Sequence, residues 1–193
     1  MNPLKTVEIS TQHKIPQRPE AALLAELSCF QRLLLVTDGT VTEMLEQYLQ
    51  ESIQVHKLAE KVETDFDQLP AGHELFVSAQ DMPVLKRQVL LQGKTTQQSW
   101  LHAESSVLLD HLPQGFRSDL LHSRQPIGRL WEKYKTETYK VMLKSGKFLA
   151  GDLAAHFGIQ ASDELITRTY GVYSNQKLIM VITENFPASY FKD

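Results

Sequence analysis

Two pairs of strand-length apolar segments, each pair joined by a short polar stretch, constrain this chain more than any other feature. Residues 83–92 and 99–109 flank the polar stretch 93–98, and residues 165–173 and 177–184 flank Ser174-Asn175-Gln176. Each pair has the pattern of a β-hairpin. Shorter candidate strands lie at 52–58 and 136–143, while the acidic stretch 60–68 followed by Pro70-Ala71-Gly72 reads as a solvated connection. Helical spacing is concentrated elsewhere. From Pro19 good helix formers run to Leu35 as one helix, with Cys29 expected to be a buried small hydrophobe in it. Thr40 and Glu43 are spaced as a capping box opening a helix through Leu45 and Tyr48. Pro126 opens another helix through Ile127, Leu130, Trp131 and Tyr134, and residues 151–157 form a short one. Hairpins with helices in the first half and between strands predict one α+β domain over 19–193, built on an antiparallel sheet. Residues 1–18 have neither period and read as an N-terminal arm.

Composition narrows the class. The chain has 193 residues, 42% of them hydrophobic, enough for a real core. With 20 Lys+Arg against 23 Asp+Glu the net charge is −3, so no nucleic-acid partner is expected. Cys29 stands alone, which excludes an intramolecular disulfide and a thiolate zinc cluster within one chain, and fits a reducing compartment. The longest apolar runs, 33–36 and 178–182, fall far short of the roughly 20 residues that span a bilayer. No apolar signal-peptide core opens the chain, so a cytoplasmic location is expected. Nothing demands an oligomer, and a monomer is the expectation.

Familiar catalytic signatures are missing. The sequence has no P-loop, no GxGxxG, no HExxH, no GxSxG and no EF-hand loop. The seven histidines are scattered at spacings that suggest no metal set, so no metal is expected.

Two charges stand out by parity instead. Alternation puts Leu85, Arg87, Val89 and Leu91 on one strand face, and Leu178, Met180, Ile182 and Glu184 on another. A guanidinium on an apolar face stays charged and needs an anionic partner to offset desolvation. Either Arg87 and Glu184 snorkel at strand ends or pair with each other, or they face a cavity where Arg87 grips an anionic ligand and Glu184 handles a proton or hydroxyl. Pro126-Ile127-Gly128 opens a helix whose first N–H groups suit an anion, or simply starts a helix closely packed at Gly128.

Taken in order, Arg87 in VLKRQVLL, Trp100-Leu101, Pro126-Ile127-Gly128-Arg129-Leu130 and Thr183-Glu184-Asn185-Phe186-Pro187 resemble the chorismate–pyruvate lyases, particularly the longer cyanobacterial and algal-plastid branch. The resemblance runs from about residue 33 to 187. It implies an antiparallel sheet with helical flaps over an internal ligand cavity. It also implies conversion of chorismate to 4-hydroxybenzoate and pyruvate without any cofactor, as a first step toward a quinone. The family's carboxylate-binding arginine falls on Arg87 and its site glutamate on Glu184; its backbone contacts fall on Ile127 and Val41. Glu104 stands where an arginine is usual after the Trp-Leu pair. Two alternatives remain: a non-catalytic binding or sensor domain for an aromatic acid, and a lyase acting on a related dicarboxylate.

Overall fold

Among the described residues the hairpins close into one six-stranded antiparallel sheet whose strands, counted along the chain, lie in the order 1-2-3-6-5-4. In this computed structural model, which describes residues 19–63, 82–123 and 125–192, the strands are β1 (Ile53–Glu63), β2 (Val84–Gly93), β3 (Ser99–Leu108), β4 (Tyr139–Leu149), β5 (Glu164–Ser174) and β6 (Lys177–Pro187). The β5–β6 turn has Asn175 and Gln176 both at positive φ, 48° and 62°, whose twist matches that of the flanking strands. The helices are α1 (Ala21–Ala25), α2 (Cys29–Val36), α3 (Val41–Leu49), α4 (Gln114–His122), α5 (Ile127–Tyr134) and α6 (Ala154–Phe157).

One face of the sheet carries two apolar clusters with a gap between them. At one end α2 and α3 bring Leu34, Leu35, Val41 and Leu45 against Val89, Leu101, Ile166 and Phe186. At the other, Phe116 and Leu120 of α4 and Leu130 of α5 pack on Leu85, Val172 and Ile182. Each such fully buried side chain contributes about 2 kcal/mol of burial free energy. Between the clusters β3 presents only Ala103 and Ser105, opposite Val89 and Arg87. These small side chains leave room under the helices.

Several expectations are corrected. The helix expected over 19–35 is two, because Ser28 caps α2 in a box with Gln31 and its hydroxyl also donates to the Phe191 carbonyl at 2.6 Å. Cys29, at the first turn of α2, is exposed rather than buried. Thr40 does precede α3, but its side chain makes no capping bond. Residues 60–63 belong to β1, not to a connection; the rest of that stretch and the arm at 1–18 lie outside the described residues. The strand expected over 136–143 runs instead over β4, and α4 is an element the pattern reading did not include.

Candidate active site

Arg87 and Glu184 both end up on the face under the helices, as parity requires, and both are buried, at 5% and 7% exposure. They line one cavity of about 140 Å³, together with Val41 and Ile127, so all four residues singled out from the sequence meet there. Leu91, Leu101, Trp131 and Ile182 supply an apolar lining.

Arg87 and Glu184 do not pair with each other. A bulge after Lys57 shifts the register of β1 so that Glu60 stands directly across from Arg87. Its carboxylate lies 3.3 Å from Arg87 Nε. The contact is an ion pair without hydrogen-bond alignment, and Arg87 Nε and Nη2 are buried with no hydrogen-bond partner among the described residues. Burial lowers the Arg87 pKa and the charge of Glu60 opposes it, yet a guanidinium remains cationic. A buried cation whose donors lack hydrogen bonds, beside an apolar cavity, has the chemistry to receive an anion.

Glu184 is held by its neighbours on β5. Arg168, directly across the ladder, donates from Nε to Glu184 Oε2 at 2.6 Å, and the Tyr170 hydroxyl donates to Oε1 at 2.9 Å. Burial and the charge of Glu184 push the Tyr170 pKa well above 10, so the phenol keeps its proton. Arg168 is completely buried. Burial works against its charge, but Glu184 and Tyr170 more than offset this and its pKa rises. Its Nη1 donates to the Thr37 carbonyl at 3.2 Å, tying the loop after α2 to the sheet. Sequence reading passed over Arg168. The parity test that marked Arg87 also marks it, because Ile166, Arg168, Tyr170 and Val172 share a face. Each Glu184 oxygen retains a lone pair for a further donor.

The helix starts complete the wall. The first turn of α5, after Pro126, leaves the N–H groups of Ile127 and Gly128 without an acceptor inside the helix. A Cβ on Gly128 would stand 2.2 Å from Thr40 Cγ2, so close packing and a clear helix start coincide at this glycine. Val41 is the first residue of α3 and is buried. Glu104, by contrast, lies on the opposite face beside Gln88, whose amide donates to it at 3.4 Å. Among the described residues no group of three His, Cys, Asp or Glu side chains could hold a metal, and no helix is long and apolar enough to cross a membrane.

The family model described as chorismate pyruvate-lyase Rv2949c-like matches residues 35–192. Curated relatives named chorismate pyruvate-lyase include one from Mycobacterium tuberculosis, 27% identical over 84% of this chain and 81% of its own length. Another, from Mycobacterium leprae, is 26% identical over 84% of this chain and 76% of its own. Among solved structures, the effector domain of PhnF from Mycobacterium smegmatis superposes with a TM-score of 0.60 at 13% identity, covering 80% of this chain and 92% of that one. The C-terminal domain of the histidine utilization repressor from Pseudomonas syringae gives 0.53 at 14% identity, over 73% and 95%. These two show a shared fold.

Proposed function

The chain belongs to the chorismate pyruvate-lyase Rv2949c-like family, and from that premise we propose that it converts chorismate to 4-hydroxybenzoate and pyruvate in the cavity bounded by Arg87 and Glu184. The observation that carries the reading is the buried Arg87 guanidinium at the cavity wall, whose Nε and Nη2 make no hydrogen bond among the described residues. An aromatic-ring carboxylate satisfies both donors in the fork geometry that arginine presents. The first-turn N–H of Ile127 adds a neutral donor to the same carboxylate. Glu184 lies two strands away on the same face, across Ala103. That is about 10 Å of sheet, a span suited to a ring with a carboxylate at one end and a hydroxyl at the other.

Chorismate carries its own driving force, since its products include an aromatic ring. The C–H bond beside the ring hydroxyl breaks and its electron pair becomes a ring double bond. The bond from the adjacent ring carbon to the ether oxygen breaks with its electrons on oxygen, and the enolpyruvate that leaves takes up a proton to become pyruvate. The protein positions the ring and stabilises charge where these bonds change. Glu184 accepts the hydrogen bond of the ring hydroxyl, next to both breaking bonds, and Arg168 and Tyr170 fix its orientation.

The fold shared with regulator effector domains supports one other reading, an aromatic-acid binder that performs no chemistry. The deciding experiment is incubation of purified protein with chorismate in chelator-containing buffer, with 4-hydroxybenzoate and pyruvate followed by chromatography. Equal amounts of both products, lost in Glu184→Gln, support the lyase. Tight 4-hydroxybenzoate binding without turnover selects the binder. In this reading the 4-hydroxybenzoate formed leads toward a quinone, as the family resemblance implies.

A further inference from the structure

An edge-strand lysine ordinarily sends its ammonium to solvent, but Lys140 of β4 lines the cavity. Its Nζ lies 5.1 Å from the centre of the Tyr170 ring and donates to the Gly39 carbonyl at 2.8 Å. An ammonium has three donors, and the carbonyl takes one. The charged and titratable groups facing it are Arg168 and Tyr170 on β5, Glu184 on β6 and Asp38 in the loop before α3. The oxygens of Glu184 already accept from Arg168 and Tyr170. Among the described residues no carboxylate forms an ion pair with Lys140.

The sheet order gives this cation a place relative to the others. Arg87 is on β2 and Lys140 on β4, with β3, β6 and β5 between them and Glu184 on β6. The cavity therefore has one cation at each end and a carboxylate between. Beyond Glu184, on the side of β5 and β4, the cavity is lined by Tyr170 and Lys140. With a ring carboxylate on Arg87 and its hydroxyl on Glu184, a substituent beside that hydroxyl that turns to this side meets a positive charge.

We infer that Lys140 binds the second carboxylate of a dicarboxylate ligand, the one on the side chain next to the ring hydroxyl, and so selects substrate over the monocarboxylate product. The inference rests on the lyase reading for the identity of that side chain, the enolpyruvyl ether of chorismate. It deepens that reading by dividing the anion-binding work: Arg87 serves substrate and product alike, and Lys140 serves substrate alone. Once the ether breaks, pyruvate carries the second carboxylate away and the product loses its hold on Lys140. The chemistry of the residue fits. Burial, reinforced by the charge of Arg168 and opposed by Glu184 and Asp38, lowers its pKa to about 8, as expected for a cation whose counter-charge arrives with a ligand.

The test compares Lys140→Met and Lys140→Arg with wild type, using three probes: chorismate, 4-hydroxybenzoate, and 3-(1-carboxyvinyloxy)benzoate, an aromatic dicarboxylate that cannot undergo the elimination. Lys140→Met should raise KM for chorismate and Kd for the dicarboxylate about tenfold, the scale of one charge-assisted hydrogen bond, and leave 4-hydroxybenzoate affinity unchanged. Lys140→Arg should restore dicarboxylate binding. In wild type, kcat/KM should fall above about pH 8 as the ammonium loses its proton, and Lys140→Arg should remove that fall. A loss of 4-hydroxybenzoate affinity equal to that of the dicarboxylate, or no loss of either, overturns the inference while turnover by wild type leaves the lyase intact. Lys140-dependent dicarboxylate binding without product formation upholds the carboxylate site and overturns the lyase. Wild type that binds neither probe overturns both.

Discussion

The two faces of the central sheet both bury polar side chains, and they treat them differently. On the face away from the cavity the polar groups satisfy one another. Thr167 donates to Asn185 at 2.8 Å, Asn185 meets His102 at 3.3 Å, and the Thr169 and Thr183 hydroxyls pair at 2.9 Å. His102 stacks on His156 at 5.9 Å, and burial, with His156 nearby, pushes its pKa down to about 4. On the cavity face Glu184 accepts one hydrogen bond at each oxygen, from Arg168 and Tyr170, while Arg87 keeps two buried donors without a hydrogen bond and Arg168 keeps one. Burying polar atoms is common to both faces; among the described residues, buried charged donors without a hydrogen bond occur only on the face with a cavity. A self-satisfied network stabilises a fold, and an unmatched one has a place for a ligand.

Variants can break this contrast or sharpen it. The largest effect on folding should come from Arg168→Met, which strands Glu184 as a buried carboxylate without its cation; a loss of about 3–5 kcal/mol is expected, read as a lower midpoint in thermal melting. An unchanged midpoint would remove Arg168 from its structural role. Glu184→Gln preserves shape and should lower kcat about 100-fold with little change in KM for chorismate, and steady-state kinetics would expose a change confined to KM instead.

The opposite face should respond only in stability. His102 titrates near 4 in the fold and near 6.5 when unfolded. The unfolded chain therefore binds more protons between those values, and this contribution to stability is lost as pH falls from about 6.5 toward 4. Melting curves across that range should show a slope that flattens in His102→Gln, with kcat/KM at neutral pH unaffected. Smallest of all, Thr183→Val should cost about 1 kcal/mol or less and leave turnover untouched. A kinetic defect in either variant would erase the distinction between the faces.

Much of this contrast could be read in the sequence because strand parity is a rigid rule. Arg87 and Glu184 were legible as inward charges once their strands were recognised, and Pro126 announced α5. Arg168 was equally legible but escaped notice between Thr167 and Thr169, polar neighbours that mask an inward apolar stripe. What pairs with what was not legible. Glu60 reaches Arg87 only through a bulge in β1, whose register depends on the strand beside it. The break between α1 and α2 depends on the Phe191 carbonyl, distant in sequence. Helix α4 has only Phe116 and Leu120 buried among polar residues, a spacing of four that is easily missed. Lys140 sits on an edge strand of mostly half-exposed residues, and no local pattern distinguishes it from a solvated lysine.

The central claim is that the unmatched Arg87 guanidinium is an anion site, and calorimetric titration of 4-hydroxybenzoate into wild type and Arg87→Ala tests it most directly. The account predicts one site per chain in wild type and an affinity about 100-fold weaker in the variant. The variant should melt no earlier, because it removes a buried charge that the fold leaves partly unpaired. Equal affinity in the two proteins would contradict it.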